Sequence, residues 1–151
     1  LVKDSRWSLF VHETFEYDQY QPFNCRDTSD AGFGFRFLKN DTTTLVGRLG
    51  GGFSHEYKGE NDRIYMPEAV FGLQFEHQIN KRQKLVGIVE YAPDVGDFLH
   101  YRIRTQAAWD LLLDTERNLS LRVGVIERYN SLPGDARPND LDYALMLMWK
   151  F

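Results

Sequence analysis

The sequence predicts an all-β fold, an antiparallel up-and-down transmembrane β-barrel of about eight strands in a single domain covering residues 1–151. Three observations predict it. Segments of about ten residues alternate apolar and polar side chains along the whole chain, and a strand puts successive side chains on opposite faces. The connections between these segments alternate short and long, as in an outer-membrane barrel with tight periplasmic turns and longer outer loops. Aromatic residues gather at both ends of the apolar faces, where an amphipathic ring meets a wet boundary.

The last eleven residues carry the pattern most plainly. Leu141, Tyr143, Leu145, Leu147, Trp149 and Phe151 fall on one side, and Asp142, Ala144, Met146, Met148 and Lys150 on the other. About nine to eleven tilted residues cross the hydrocarbon of a bilayer as a strand. Upstream, the first strand alternates over residues 7–17, with Trp7, Leu9, Val11, Phe15 and Tyr17 apolar and Glu13 breaking the series. A polar loop is expected from Asp18 to Asp30, holding the single cysteine, Cys25, which therefore has no disulfide partner in the chain. The second strand sets Ala31, Phe33, Phe35 and Phe37 against Gly32, Gly34, Arg36 and Leu38, and Lys39 to Thr42 form a turn of Asn-Asp type. The third sets Leu45 to Tyr57 against Val46 to Glu56, and a charged loop follows from Lys58 to Arg63.

The fourth strand is expected over residues 65–76, the fifth over Leu85 to Tyr91, the sixth over Leu99 to Leu111 and the seventh over Leu119 to Tyr129. Turns fall at Asn80–Arg82 and Asp114–Asn118, and longer loops at Ala92–Phe98 and Asn130–Asp140, the latter with Pro133, Gly134 and Pro138. No helical periodicity competes.

Composition bounds the function. Hydrophobic residues make up 42% and aromatics 15%, yet the mean hydropathy is −0.48. Alternation hides apolar residues in that way, and no run nears the roughly eighteen apolar residues of a membrane helix. A net charge of −4 argues against nucleic acid, which calls for clustered Lys and Arg. The chain opens on Leu1, so either a signal was cleaved or more chain lies upstream.

A soluble lipocalin-like barrel binding an apolar ligand also alternates, with the apolar face inward, so that Phe71, Ile103 and Leu145 would line its cavity. Three features favour the membrane instead. Aromatics sit at the long-loop end of every strand (Tyr17, Phe33, Tyr57, Tyr65, Tyr91, Tyr101, Tyr129, Tyr143), and Trp7, Phe37, Phe75, Trp109, Trp149 and Phe151 form a second girdle. Glycines crowd the opposite face, where a narrow lumen needs space. Between the girdles only Glu13 and Glu127 interrupt the apolar face.

The inward face holds Arg36, Arg48, Lys84, Arg102, Arg104, Arg122, Arg128 and Lys150 against Glu16, Glu56, Glu68, Glu76, Glu90, Asp110 and Asp142. Eight strands enclose only enough space for side chains, so these charges are expected to pair and leave no open pore. Hairpin register suggests Asp110 with Arg122 and Glu90 with Arg102. Catalysis, in the form of an outer-membrane lipid-modifying enzyme, is the weakest alternative. The string Ser54-His55-Glu56 cannot form a triad, because His55 faces away from its neighbours. His12 and His100 are expected inward, as polar lining residues. No metal spacing or cofactor motif is present, so no cofactor, metal site or reaction is expected.

The segment Arg48–Tyr57 (R-L-G-G-G-F-S-H-E-Y) and the stretch Arg122–Phe151, with its E-R-Y-N-S loop before a terminal aromatic strand, resemble the salt-induced outer-membrane protein family, a group of uncharacterised function. The likeness spans roughly Leu45 to Phe151. It implies a place in the cell outer membrane of a Gram-negative envelope, with the lipid bilayer as a partner and Phe151 as the strand end read by the barrel-assembly machinery. It also implies members longer upstream, so that this chain is the C-terminal part of a longer one. Other envelope proteins are further expected partners, and a structural or surface-binding role the expected function.

Overall fold

The computed structural model describes residues 5–17, 25–57, 63–115, 117–133 and 137–149. Eight strands form one antiparallel sheet in chain order: β1 (Trp7–Tyr17), β2 (Cys25–Lys39), β3 (Thr43–Tyr57), β4 (Arg63–Asn80), β5 (Gln83–Pro93), β6 (Tyr101–Asp114), β7 (Leu119–Asn130) and β8 (Asn139–Trp149). The sheet curls into an up-and-down half-barrel. β1 is paired with β2 and β8 with β7, and among the described residues the two outer edges are not paired with each other.

The register gives the sheet a barrel's slant. Successive partners run Trp7, Phe35, Gly47, Leu73, Val89, Thr105, Glu127, Leu141. Trp7 opens β1 at the short-turn end, whereas Leu141 lies 149 − 141 = 8 residues from the same end of β8. Eight residues at ~3.3 Å over seven strand spacings of ~4.8 Å give a tilt of about 38°, inside the range of closed barrels.

Short polar side chains shape the tight turns. Asn40 Oδ1 accepts hydrogen bonds from the backbone N–H groups of Thr42 (3.0 Å) and Thr43 (2.6 Å). Asn80 Oδ1 accepts from Arg82 N–H at 2.9 Å, and Asp114 Oδ1 from Arg117 N–H at 3.2 Å. Asn118 takes φ of 49°, a left-handed position that Asn tolerates. Just before each of these turns the register slips by one residue, at Phe37, Ile79 and Leu113. Such bulges sharpen local twist and change which face the following residue meets. The first puts Leu38 opposite Leu45, on the outer face rather than the inner one, at 44% exposure.

Several segments depart from the expected boundaries, and β4 runs over Arg63–Asn80 against an expected 65–76. β2 begins at Cys25, six residues inside the expected loop, and pairs with both β1 and β3 from there. Its outer face over that stretch is Cys25, Asp27 and Ser29, which carry no apolar signal. The strand is held instead by its inner face, where Arg26, Thr28 and Asp30 are buried. β5 continues through Ala92 and Pro93, and β6 starts at Tyr101, so Leu99 and His100 lie in the connection and not in a strand. There Asp94 Oδ1 and Asp97 Oδ1 accept from Gly96 and Leu99 N–H groups.

The two faces divide in the sense opposite to a soluble core. The only buried hydrophobics among the described residues are Val70, Ala92 and Ala108. Trp7, Leu9, Phe33, Leu49, Phe71, Leu73, Val89, Leu145, Leu147 and Trp149 stand exposed on the convex face. Arg26, Ser54, Glu56 and Glu68 are buried on the concave one.

Candidate functional site: the ionic concave face

Alternation on each strand delivers a set of polar side chains to the concave face, and the register decides which of them meet. On β2 and β3, Arg26 stands opposite Glu56 and donates to its carboxylate from Nε (3.0 Å) and Nη2 (2.5 Å), while its Nη1 lies 3.4 Å from Glu16 of β1. Both Arg26 and Glu56 are buried. A buried charge is tolerated only when it is paired and hydrogen-bonded, and here three strands share one guanidinium.

Glu68, 4% exposed on β4, accepts from Ser54 Oγ at 3.2 Å and from Arg102 Nε at 3.1 Å, with a second bond from Arg102 Nη2. The sequence placed Glu90 with Arg102. Instead Glu90 stands opposite Arg104, and Arg102 opposite Ala92. Because β5 runs on to Pro93, every pair across this hairpin moves by one step on the inner face. The small Ala92 lets Arg102 reach over β5 to Glu68 on β4.

Asp110 and Arg122 are direct partners on β6 and β7, joined by Arg122 Nε to Asp110 Oδ1 at 2.6 Å and Nη2 to Oδ2 at 2.7 Å. A two-bond fork of this kind fixes geometry as well as charge. Lys84 Nζ lies 2.5 Å from Glu76, which also accepts from Gln74 Nε2 at 3.0 Å. Arg128 Nη1 reaches Asp142 at 2.5 Å and Asp140 at 3.5 Å.

Glycine makes the inner face narrow. A Cβ on Gly32 would lie 2.3 Å from the Leu49 carbonyl oxygen and 2.8 Å from the Phe10 ring, and one on Gly50 2.4 Å from the Ala31 oxygen. The Phe10 ring therefore fits against two glycines, and the Arg48 guanidinium sits 5.9 Å from its centre. At the long-loop end the concave face widens to a cavity of about 580 Å³, lined among others by Glu16, Arg26, Asp30, Glu68, Arg104 and Arg128. Asp30 is 6% exposed beside His12, whose Nδ1 is 3.8 Å from its carboxylate, and its Oδ1 has no hydrogen-bond partner among the described residues.

The Ser54-His55-Glu56 string is split between faces. Ser54 is wholly buried on Glu68 and Glu56 is bound to Arg26, while His55 lies on the outer side 4.9 Å from the Tyr65 ring. His12 is on the concave face. His100 is in the loop with Asp97, 3.7 Å away, which corrects its expected inward position. Arg26, Thr28 and Asp30 were missed from sequence because they fall in the stretch read as a loop. Cys25, Asp27 and Ser29 on the other face are as polar as these three, so no alternation in hydrophobicity marked the strand.

On the convex face Phe71, Tyr91, Tyr101 and Tyr129 form a continuous run across β4 to β7, with successive ring centres 6.1, 5.5 and 5.7 Å apart. Tyr17, Tyr65 and Tyr143 are exposed at the long-loop ends of their strands, and Tyr57 is half-buried beside His55. At the other end Trp7 packs edge-on to Phe35 at 4.8 Å, Trp149 is 62% exposed, and Trp109 is half-buried between Leu85 and Val123. Phe151 and Lys150 lie outside the described residues.

No curated protein and no solved structure matches the chain. One family sequence profile does, over residues 2–151, and its description is "Protein of unknown function, DUF481". The match covers nearly the whole chain, and the protein, itself a β half-barrel, belongs to this family of uncharacterised function.

Proposed function

We propose that the protein spans the outer membrane of a Gram-negative envelope, convex face in lipid, and serves as a structural or surface-binding element without catalytic activity or an open pore. The observation that carries this reading is the inverted distribution of side chains. Large apolar residues of every strand face outward, many of them more than half exposed, while the concave face is a ladder of ion pairs, buried at Arg26–Glu56 and part-exposed at Asp110–Arg122. In water that arrangement would leave a large apolar surface uncovered, well beyond the patches of a few hundred Å² that soluble monomers show. In a bilayer it is the required one.

The soluble-barrel alternative needs Phe71, Ile103 and Leu145 around an internal cavity. Phe71 and Leu145 are 46% and 73% exposed on the convex side, and Ile103 stands between Tyr91 and Tyr129. The two aromatic runs support lipid boundaries at either end of the strands. The ion pairs support an interior filled by side chains, the space that eight strands enclose. Surface binding falls to the long-loop end, where the cavity opens.

Membrane fractionation tests the proposal. The protein is expected in the outer-membrane fraction, extracted only by detergent, with gel mobility that changes on heating. A monodisperse, folded protein in detergent-free buffer would refute it.

A further inference from the structure

We propose that the cavity at the long-loop end binds a small zwitterion, a molecule with a protonated amine close to a carboxylate or phosphate. Its oxyanion sits on Arg104 and its amine on Glu90. The inference names the ligand class for the surface-binding role proposed above and rests on that reading.

The charged side chains that line the cavity divide into those engaged with one another and those left over. Arg26 is held by Glu16 and Glu56, Arg102 by Glu68, and Arg128 by Asp140 and Asp142. Among the described residues, Arg104 and Glu90 line the same cavity and take part in no ion pair or hydrogen bond. Arg137, at the start of the segment leading into β8, likewise has no acid partner there. Asp30, buried, has only His12 within ion-pair distance, and its Oδ1 has no hydrogen-bond partner. The leftover charges are therefore of both signs, with Arg104 exposed and Glu90 half-buried. A half-buried carboxylate and a buried one both gain from a cation that reaches them.

Register brings the two poles together. Arg104 is the direct partner of Glu90 on β5 and of Arg128 on β7. Arg128 is neutralised by its two aspartates, so Arg104 is the guanidinium of this row that lacks a counter-ion. Its planar fork matches the two oxygens of a carboxylate or phosphate. Cα atoms of direct partners lie about 4.5–5.5 Å apart, so a ligand bridging this pair carries its opposite charges within about two carbons of each other. A lone charge fits worse. An anion on Arg104 also meets the carboxylates of Glu90 and Asp30, and a cation on Glu90 meets Arg104. A zwitterion answers both poles and adds no net charge to the cavity. The volume of about 580 Å³ lies in the range of small-molecule sites, roughly 300–1,000 Å³.

The test titrates the full chain, in a non-ionic detergent, with O-phosphoethanolamine and with glycine, read by calorimetry. Inorganic phosphate, acetate and ethanolamine serve as single-charge controls. A zwitterion should bind at least about tenfold tighter than each control that shares one of its charges, the effect of one further charged hydrogen bond. Arg104→Gln and Glu90→Gln should each weaken that binding by about tenfold or more, in protein whose heat-modifiable gel mobility shows it folded. Dihexanoylphosphatidylethanolamine carries one of these groups on a lipid: if it displaces phosphoethanolamine the source is a lipid headgroup, and if it does not the source is a free solute. No binding of either zwitterion to the unsubstituted chain, controls that bind as tightly, or binding unchanged by both substitutions overturns the proposal. Failure of the membrane reading shows separately, as protein in the soluble fraction.

Discussion

Replacing Leu49 with arginine separates a lipid-facing surface from a water-facing one. Leu49 lies on β3, well inside the sheet, paired with Phe33 and Phe71 and 58% exposed. It is far from the open edges and from the turns at both ends. An exposed position in water accepts Arg within about ±0.5 kcal/mol. A position in mid-bilayer charges about 2–4 kcal/mol for it, which is roughly a thirtyfold to several-hundredfold shift in the folding equilibrium at ~1.4 kcal/mol per decade. Leu49→Ala serves as the reference, since it removes the same contacts without adding charge. The assay is urea titration of protein folded into phospholipid vesicles, read by the heat-modifiable gel band and tryptophan emission. The difference between the Arg and Ala variants should fall in the 2–4 kcal/mol range. A difference inside half a kcal/mol would refute the lipid assignment of the convex face.

Other outcomes follow from the concave face. Arg102→Leu leaves Glu68 buried with only Ser54 as a donor, and should cost about 3–5 kcal/mol, whereas Arg102→Leu combined with Glu68→Leu should recover much of it; denaturant midpoints of the three chains decide. Asp110→Ala removes both bonds of the Arg122 fork. Because Arg122 is a third exposed, a double-mutant cycle should return a coupling of about 0.5–3 kcal/mol, and a zero coupling would remove the pair from the account. Gly32→Ala forces a methyl group against backbone at 2.3 Å and should prevent assembly or cost several kcal/mol, roughly as severe overpacking does. Gly87→Ala, whose Cβ would meet only Phe75 at 4.0 Å, should assemble normally, and thermal melting of both distinguishes them.

Much of the fold was legible because a β-strand's period of two is the simplest pattern a sequence can carry. β1 has its expected limits, and the hairpin between β6 and β7 places Asp110 and Arg122 where its turn says. The misses share a cause. Where both faces of a strand are polar, as over Cys25 to Asp30, alternation in hydrophobicity vanishes, and only the pairing of Arg26 with Glu56 and Glu16 reveals the strand. Pro93 reads as a loop residue, although it can end a strand where no ladder bond needs its nitrogen. Extending β5 through it moved the partner of Glu90 from Arg102 to Arg104. The bulges at Phe37, Ile79 and Leu113 have no composition of their own, and they show only as register. Open edges leave little trace in sequence, since β8 alternates as well as any strand and β1 departs from the pattern only at Glu13.

Lipid contact of alternate residues on β7 tests the central claim most directly. Single cysteines at Leu121, Val123 and Val125, and at Arg122, Gly124 and Ile126, in the Cys25→Ser chain, would carry a fluorophore in vesicles containing brominated lipid. The orientation described here predicts strong quenching at the three odd positions and little at the three even ones. Quenching that is uniform along the strand, or strongest at Arg122, Gly124 and Ile126, would contradict it.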